Sequence, residues 1–266
     1  MNASTAPAAR ARTARSDGGE PLLDVERLSV GYGKALVIRE FSLQVYPNEF
    51  VVLLGRNGAG KSTILHALSG LIPKRGGRVR YDGRDITQAP ARDIVRGGMI
   101  QVLERHRVFT QLSVEDNLLI GTYARHRRGD RGKLERIYEL FPELADKRGQ
   151  AASRLSGGQQ EILAVAQGVI GEPRLLILDE PSGGLAPIVI DRILDIADRL
   201  CREGGMSILL VEQMVEKALR HAHHCYLLAN GTALGDGPPA AIHGSDLLRA
   251  CYLGHAGETS TTESAT

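Results

Sequence analysis

The 266-residue chain contains no tryptophan, only three cysteines and 4% aromatic residues. Scarce aromatics argue against a platform on which nucleic-acid bases stack. Cys201, Cys225 and Cys251 are far apart and form no C-x-x-C, which argues against a zinc ribbon or a redox pair and fits a reducing compartment. Neither sign of charge dominates. Lys and Arg number 33, Asp and Glu 31, and the formal net charge of +2 does not single out nucleic acid as a partner. No apolar run approaches the ~20 residues of a transmembrane helix. The runs FVVLL and LLIL are short and read as buried strands.

The first residues, MNASTAPAARARTARSDGG, are rich in Ala, Arg and Ser and carry no acid before Asp17. They resemble an organelle transit peptide in composition but lack the apolar segment of a secretory signal. A disordered extension over residues 1–21 is expected, and a disordered tail over 255–266. His221, His223, His224 and Cys225 invite a metal reading. The alternative is a polar segment leading into the strand CYLLA, and neither helical spacing nor a carboxylate partner is evident in the sequence.

Residues 22–30 and 36–45 alternate apolar and polar and predict half-exposed strands. FVVLLG predicts a central buried strand, STILHALSGLI a helix and RVRYDG another strand. From about Arg105 to Gln150 the chain is charged and helical in pattern. Ser113 and Asp116 predict a capping box opening SVEDNLLIGTYA, and a second helix around GKLERIYELF ends at Pro142. A long helix follows Arg154. In PIVIDRILDIADRLCRE, Ile193, Ile196, Ala197 and Leu200 share one stripe, with Pro187 at the first helical position. LLILDE and SILLVE predict two further buried strands. The expectation is an α/β fold: a mainly parallel P-loop sheet with an N-terminal antiparallel β region and an inserted helical subdomain, about residues 105–158.

GRNGAGKST, residues 55–63, matches G-x-x-x-x-G-K-[ST] between a predicted strand and helix. Its candidate phosphate-binding residues are Gly55, Asn57, Gly58, Ala59, Gly60, Lys61, Ser62 and Thr63. Gly58 and Gly60 let backbone N–H groups turn toward phosphates. Lys61 would reach the β/γ-phosphates and Ser62 a Mg²⁺ ion. LLILDE supplies the acids such a loop needs, at the end of an expected neighbouring parallel strand. Asp179 would hold Mg²⁺, and Glu180 would orient or deprotonate the attacking water. A second Ser-Gly-Gly turn at a helix start, Ser156, Gly157, Gly158 and Gln159, is a further anion cradle. If two copies face each other head to tail, the turn of one caps the γ-phosphate held by the other.

The P-loop, LSGGQQ and LLILDE, in this order, resemble the motif set of ABC-type ATPases. The likeness covers about Leu22 to Gly254. It implies that Tyr32 of GYGK stacks on adenine; the alternative is a strand tyrosine packed on the sheet. PSGGLAP, LLVEQ and the ending CYLG are similar to the smaller ATP-binding subunit of branched-chain amino-acid uptake systems. Ala186 matches that subunit's PSLGLAP, where most ABC relatives have Asp. Gln213 stands where most ABC ATPases have His at the γ-phosphate, and it can donate a hydrogen bond without carrying charge. VLERHRVF aligns with the family's VPEGRRVF, so Glu104 takes the Q-loop position and Gln101 falls in the preceding strand. A urea-importer subunit tends to have Gln there. Leu103, Arg105 and Gln167 are departures from the family pattern. Arg105, His106 and Arg107 are either partner contacts or a solvated basic turn.

The resemblance implies an ATP- and Mg²⁺-dependent importer ATPase at the cytoplasmic face of the membrane. Its partners would be a second ABC ATPase subunit (hetero- or homodimer), two membrane permease subunits and, indirectly, an external substrate-binding protein, with no nucleic acid. A urea or amide importer is the alternative. A soluble ABC protein acting on ribosomes or DNA fits less well, because there is one nucleotide unit and the gap from Lys61 to Ser156 has neither heptads nor C-x-x-C. An exporter subunit is disfavoured by the VEQ and GLAP details.

Overall fold

The computed structural model describes residues 19–103, 108–123 and 131–253. Most of the expected disordered extension and tail lies outside them. Two sheets and a helical layer make up the fold. Strands β1 (Leu23–Tyr32), β2 (Ala35–Val45), β4 (Lys74–Tyr81) and β5 (Arg84–Asp85) form an antiparallel sheet in the order β2-β1-β4-β5. The second sheet runs β10-β9-β3-β8-β7-β6. Its strands are β3 (Phe50–Leu54), β6 (Met99–Val102), β7 (Leu175–Asp179), β8 (Ser207–Glu212), β9 (His224–Ala229) and β10 (Thr232–Gly237), all parallel except β10.

The continuous apolar runs follow from burial on both faces. Side chains alternate along a strand, so Phe50, Val52 and Leu54 enter one core while Val51 and Leu53 enter the other. The second core lies between the two sheets and takes in Ile64, Leu65 and Leu68 of helix α1 (Lys61–Leu68). The first core lies beneath the long helices α6 (Gly157–Val169) and α7 (Pro187–Glu203). Pro187 opens α7 in its first turn, and Ile193, Ile196, Ala197 and Leu200 are buried along one stripe, as the spacing predicts.

The sequence places the acid-bearing strand beside the strand that feeds the phosphate loop. In the structure β8 lies between β3 and β7. That insertion carries the end of β8, Glu212 and Gln213, into the gap between the phosphate loop and the acids.

Short helices flank β6 along the chain: α2 (Ala91–Arg96) precedes it, and α3 (Val114–Thr122), α4 (Arg131–Leu140) and α5 (Pro142–Ala145) follow it. α4 stops at Leu140, and Pro142 starts α5 rather than merely ending its predecessor. The Ser113 cap is one-sided. Its Oγ accepts from Asp116 N at 3.0 Å and donates to Asp116 Oδ2 at 2.6 Å, so the backbone N–H of Ser113 is not part of a reciprocal box. A true capping box appears instead at α6. Asn117, fully buried, accepts from Phe109 N at 2.7 Å and donates to Phe109 O and Ser113 O, both at 2.9 Å. One side chain thus satisfies a loop that has no regular structure of its own. Gln167, where the family pattern has Arg, donates to Asn117 O at 3.1 Å and ties α6 to α3.

The C-terminal part adds α8 (Val215–His221), α9 (Pro239–Ile242) and α10 (Asp246–Leu253). Among the described residues no helix is long and apolar enough to cross a membrane.

The histidine cluster has carboxylate partners after all, but they diverge. His224 Nε2 meets Asp236 Oδ2 at 2.8 Å, His221 lies 3.7 Å from Asp198, and His223 Nδ1 accepts from Phe50 N at 2.8 Å. No group of three or more potential metal ligands converges among the described residues. The three thiols are buried and unpaired. Burial pushes Cys201 up to about 11 and Cys225 up to about 12, and raises Cys251 as well. Because the thiolate is the reactive form, a thiol-titrating disulfide reagent at neutral pH is expected to label none of them in the folded chain and all three after denaturation. Rapid labelling of the folded chain would contradict this burial.

Candidate functional site

The loop after β3 and the start of α1 form the phosphate cradle. Gly58 and Gly60 have φ of 78° and 106°, in the left-handed region that glycine adopts without penalty. A Cβ on Gly60 would sit 2.5 Å from Ile38 Cδ1, so both backbone and space demand glycine there. Gly60 caps α1 without any side-chain hydrogen bond. The first N–H groups of the helix are therefore directed to whatever anion enters the loop. Asn57 and Gly58 are exposed, while Gly55 and Ala59 are buried. Ser62 and Thr63 follow on the first turn of α1.

Lys61 is 3% exposed and its ammonium is held from three sides. It donates to Gly55 O at 2.7 Å and Arg56 O at 3.0 Å, and pairs with Glu180 Oε1 at 2.9 Å. Glu180 follows β7 with φ of 47°, an uncommon conformation for a non-glycine residue. Its N–H donates to Val211 O at 2.9 Å, which holds the backbone while the side chain turns back over the loop. The other carboxylate oxygen, Oε2, accepts from Gln213 Nε2. Asp179 is buried at the end of β7, and Ser62 Oγ donates to its Oδ1 at 3.3 Å. Five predicted site residues, at the start of α1 and the ends of β7 and β8, therefore converge: Lys61, Ser62, Asp179, Glu180 and Gln213.

Ser62 and Asp179 meet the requirements of a small hard cation, an oxygen pair with one carboxylate beside the phosphate cradle. Lys61 and the loop N–H groups supply the positive counterpart for a polyphosphate. Tyr32, at the end of β1, is 51% exposed, so its ring is open to a planar group. Ser156 and Gly157 are exposed at the start of α6. Ser156 N donates to Gln159 Oε1 at 3.1 Å and Gln159 N to Ser156 Oγ at 3.4 Å. The reciprocal cap closes the turn, which presents Gly157 to solvent while Gly158 packs toward Val189. Glu104, with Arg105, His106 and Arg107, lies outside the described residues.

Two residues given no site role in the sequence join the cluster. Gln101 sits inside β6, as expected, yet its Nε2 lies 3.4 Å from Asp179 Oδ2 and its Oε1 accepts from Ser69 Oγ. The parallel pairing of β6 with β7 brings it there; the available signal is a lone amide in the apolar run MIQV. Glu212, 1% exposed, is a hub. It accepts from Ser182 N at 3.1 Å and Ser182 Oγ at 2.8 Å, and from Gln213 N at 2.9 Å. Burial pushes its carboxyl above the usual carboxylate range, and the hydrogen bonds from Ser182, Gln213 and Met214 pull it partly back. Glu212 thereby fixes the segment after Glu180 and the backbone of Gln213 together. Glu212→Ala leaves these half-buried donors without their acceptor, and is expected to lower the unfolding free energy by about 1 kcal/mol and to slow any hydrolysis at this site about tenfold through misplacement. Denaturant titration and steady-state hydrolysis check this; undiminished stability would show that water replaces the carboxylate.

A parallel sheet with a glycine-rich loop, a lysine and two consecutive acids at its strand ends defines a P-loop nucleotide hydrolase. The family described as "ABC transporter" matches residues 38–183. The chain belongs to this family, as an ATP-binding, ATP-hydrolysing member. It is 38% identical to the high-affinity branched-chain amino acid transport ATP-binding protein BraG of Pseudomonas aeruginosa, over 88% of this chain and 100% of that protein. It is 30% identical to the lipopolysaccharide export system ATP-binding protein LptB of Escherichia coli, over 87% of this chain and 97% of that one. Among solved structures, the ADP conformation of an ATP-binding cassette of an ABC transporter superposes with a TM-score of 0.78 at 21% identity, covering 88% of this chain and 99% of that chain.

Proposed function

We propose that the chain is the ATP-hydrolysing subunit of an ABC importer and energises uptake of branched-chain amino acids through separate permease subunits. The observation that supports the substrate class is the 38% identity along the whole of BraG. The GLAP and VEQ segments support the same assignment. In this reading the ATPase domain covers residues 22–254, with its helical subdomain at about 105–158, and works at the cytoplasmic face of the membrane.

The site residues act as follows. The loop from Gly55 to Thr63 wraps the phosphates, and Lys61 exchanges Glu180 for the β/γ-phosphate oxygens. Ser62 and Asp179 would hold Mg²⁺, which neutralises charge on those oxygens. Tyr32 stacks on adenine. Glu180, released from Lys61, orients and deprotonates water, while Gln213 keeps the carboxylate in place and donates toward the γ-phosphate. Glu104 extends the site from the Q-loop. Ser156, Gly157, Gly158 and Gln159 of a second ATPase subunit, of the same or a different kind, close over the γ-phosphate, so that nucleotide joins the two subunits. Phe109, Leu112 and Tyr123 are exposed apolar side chains and form a surface for the permeases. An external binding protein selects the substrate.

Uptake of radiolabelled leucine and of urea, in cells with and without the gene, tests the reading. Loss of leucine uptake alone is expected. Loss of urea uptake alone would keep the importer and replace its substrate.

A further inference from the structure

The ending CYLG enters the sequence analysis only as a likeness, with no chemistry attached. The structure gives its tyrosine a place in the site. Tyr252 lies on α10, far along the chain from the phosphate loop, yet its hydroxyl donates to Gln213 O at 3.3 Å. The backbone N–H of Gly55, the first residue of the loop, interacts with the same oxygen. We propose that Tyr252 is a positioning residue for ATP hydrolysis, acting through Gln213 by holding its backbone in place beside the phosphate loop.

Three observations carry this. First, Gln213 is pinned at both ends of its backbone: its N–H donates to Glu212 and its carbonyl accepts from Tyr252, while its side chain reaches Glu180. Fixing both peptide groups fixes the Cα–Cβ direction from which the side chain reaches Glu180. Second, α10 does not pack closely on the loop. A cavity of about 380 Å³, lined by Arg56, Asn57 and Gly58 on one side and Ala250 and Cys251 on the other, separates them. The Tyr252 hydroxyl is therefore a discrete strut beside a gap rather than part of a continuous wall. Third, burial pushes the phenol above its ordinary range, so the oxygen keeps its proton and remains a donor to Gln213 wherever the enzyme works. The proposal rests on the reading of Gln213 given above.

Tyr252→Phe removes one oxygen and keeps the ring. Steady-state hydrolysis by the full-length chain is expected to show kcat lowered about tenfold, with KM for ATP and the thermal midpoint little changed. The same substitution made in a Gln213→Ala background is expected to cost nothing further, because the two residues act as one unit. A Tyr252→Phe chain with the parent kcat would overturn the proposal. So would a full, additive loss in the Gln213→Ala background, which would mark the hydroxyl as a support of the fold alone. If Gln213→Ala by itself hydrolyses at the parent rate, the role of Gln213 fails first and the proposal falls with it; the single variants tell these outcomes apart.

Discussion

Glu180→Gln is expected to hydrolyse ATP about 10²–10⁴-fold more slowly than the parent chain, the range associated with removing a positioned general base. The substitution is nearly isosteric. Glutamine can adopt the same left-handed backbone, φ of 47°, and its amide oxygen can still accept one of the two hydrogen bonds that the carboxylate takes from Lys61 and Gln213. What is lost is the charge and the basicity. Affinity for ATP moves the other way. In the parent chain the phosphates must compete with Glu180 for the Lys61 ammonium. In the variant that ammonium faces a neutral amide, so nucleotide binding is expected to hold or tighten. Single-turnover hydrolysis and equilibrium binding of labelled ATP, run on the same preparation, separate the two quantities. Hydrolysis at the parent rate would remove Glu180 from its role.

Much of this site is legible in the sequence because its pieces are local. The glycine pattern of residues 55–63 encodes the cradle directly, since φ of 78° and 106° at Gly58 and Gly60 needs glycine. Strand ends are visible from apolar runs stopped by acids, and α7 from its stripe and Pro187. What could not be read is strand order. The expectation that the strand of Asp179 adjoins that of the loop fails because β8 intervenes, and nothing in a strand's own residues states its neighbour. Gln101, Glu212 and Tyr252 go unassigned for the same reason. Each is an ordinary polar residue in its own segment and meets the site only through tertiary packing. Likewise the histidines suggest one cluster on paper, yet the backbone sends each ring to a different partner.

Lys61→Ala is the complementary case, and its effect on binding should be opposite in sign. The ammonium is buried and holds two loop carbonyls as well as Glu180. Removing it takes away the fixed positive charge of the cradle and leaves Asp179 and Glu180, two adjacent carboxylates, facing any incoming polyphosphate with less compensation. Removing one preorganised donor aimed at charge that develops in a transition state costs about 10²–10³ in rate. Turnover is therefore expected to fall by about that factor, together with a clear weakening of ATP binding. In Glu180→Gln the rate falls while binding is kept. Restoring neutrality in the double variant Lys61→Ala/Glu180→Gln should recover part of the lost affinity and none of the rate, because the repelling carboxylate and the base are the same group. If Lys61→Ala binds ATP as tightly as the parent chain, the ammonium is a structural pin for the Gly55 and Arg56 carbonyls, and the backbone N–H groups of the loop alone carry the phosphates.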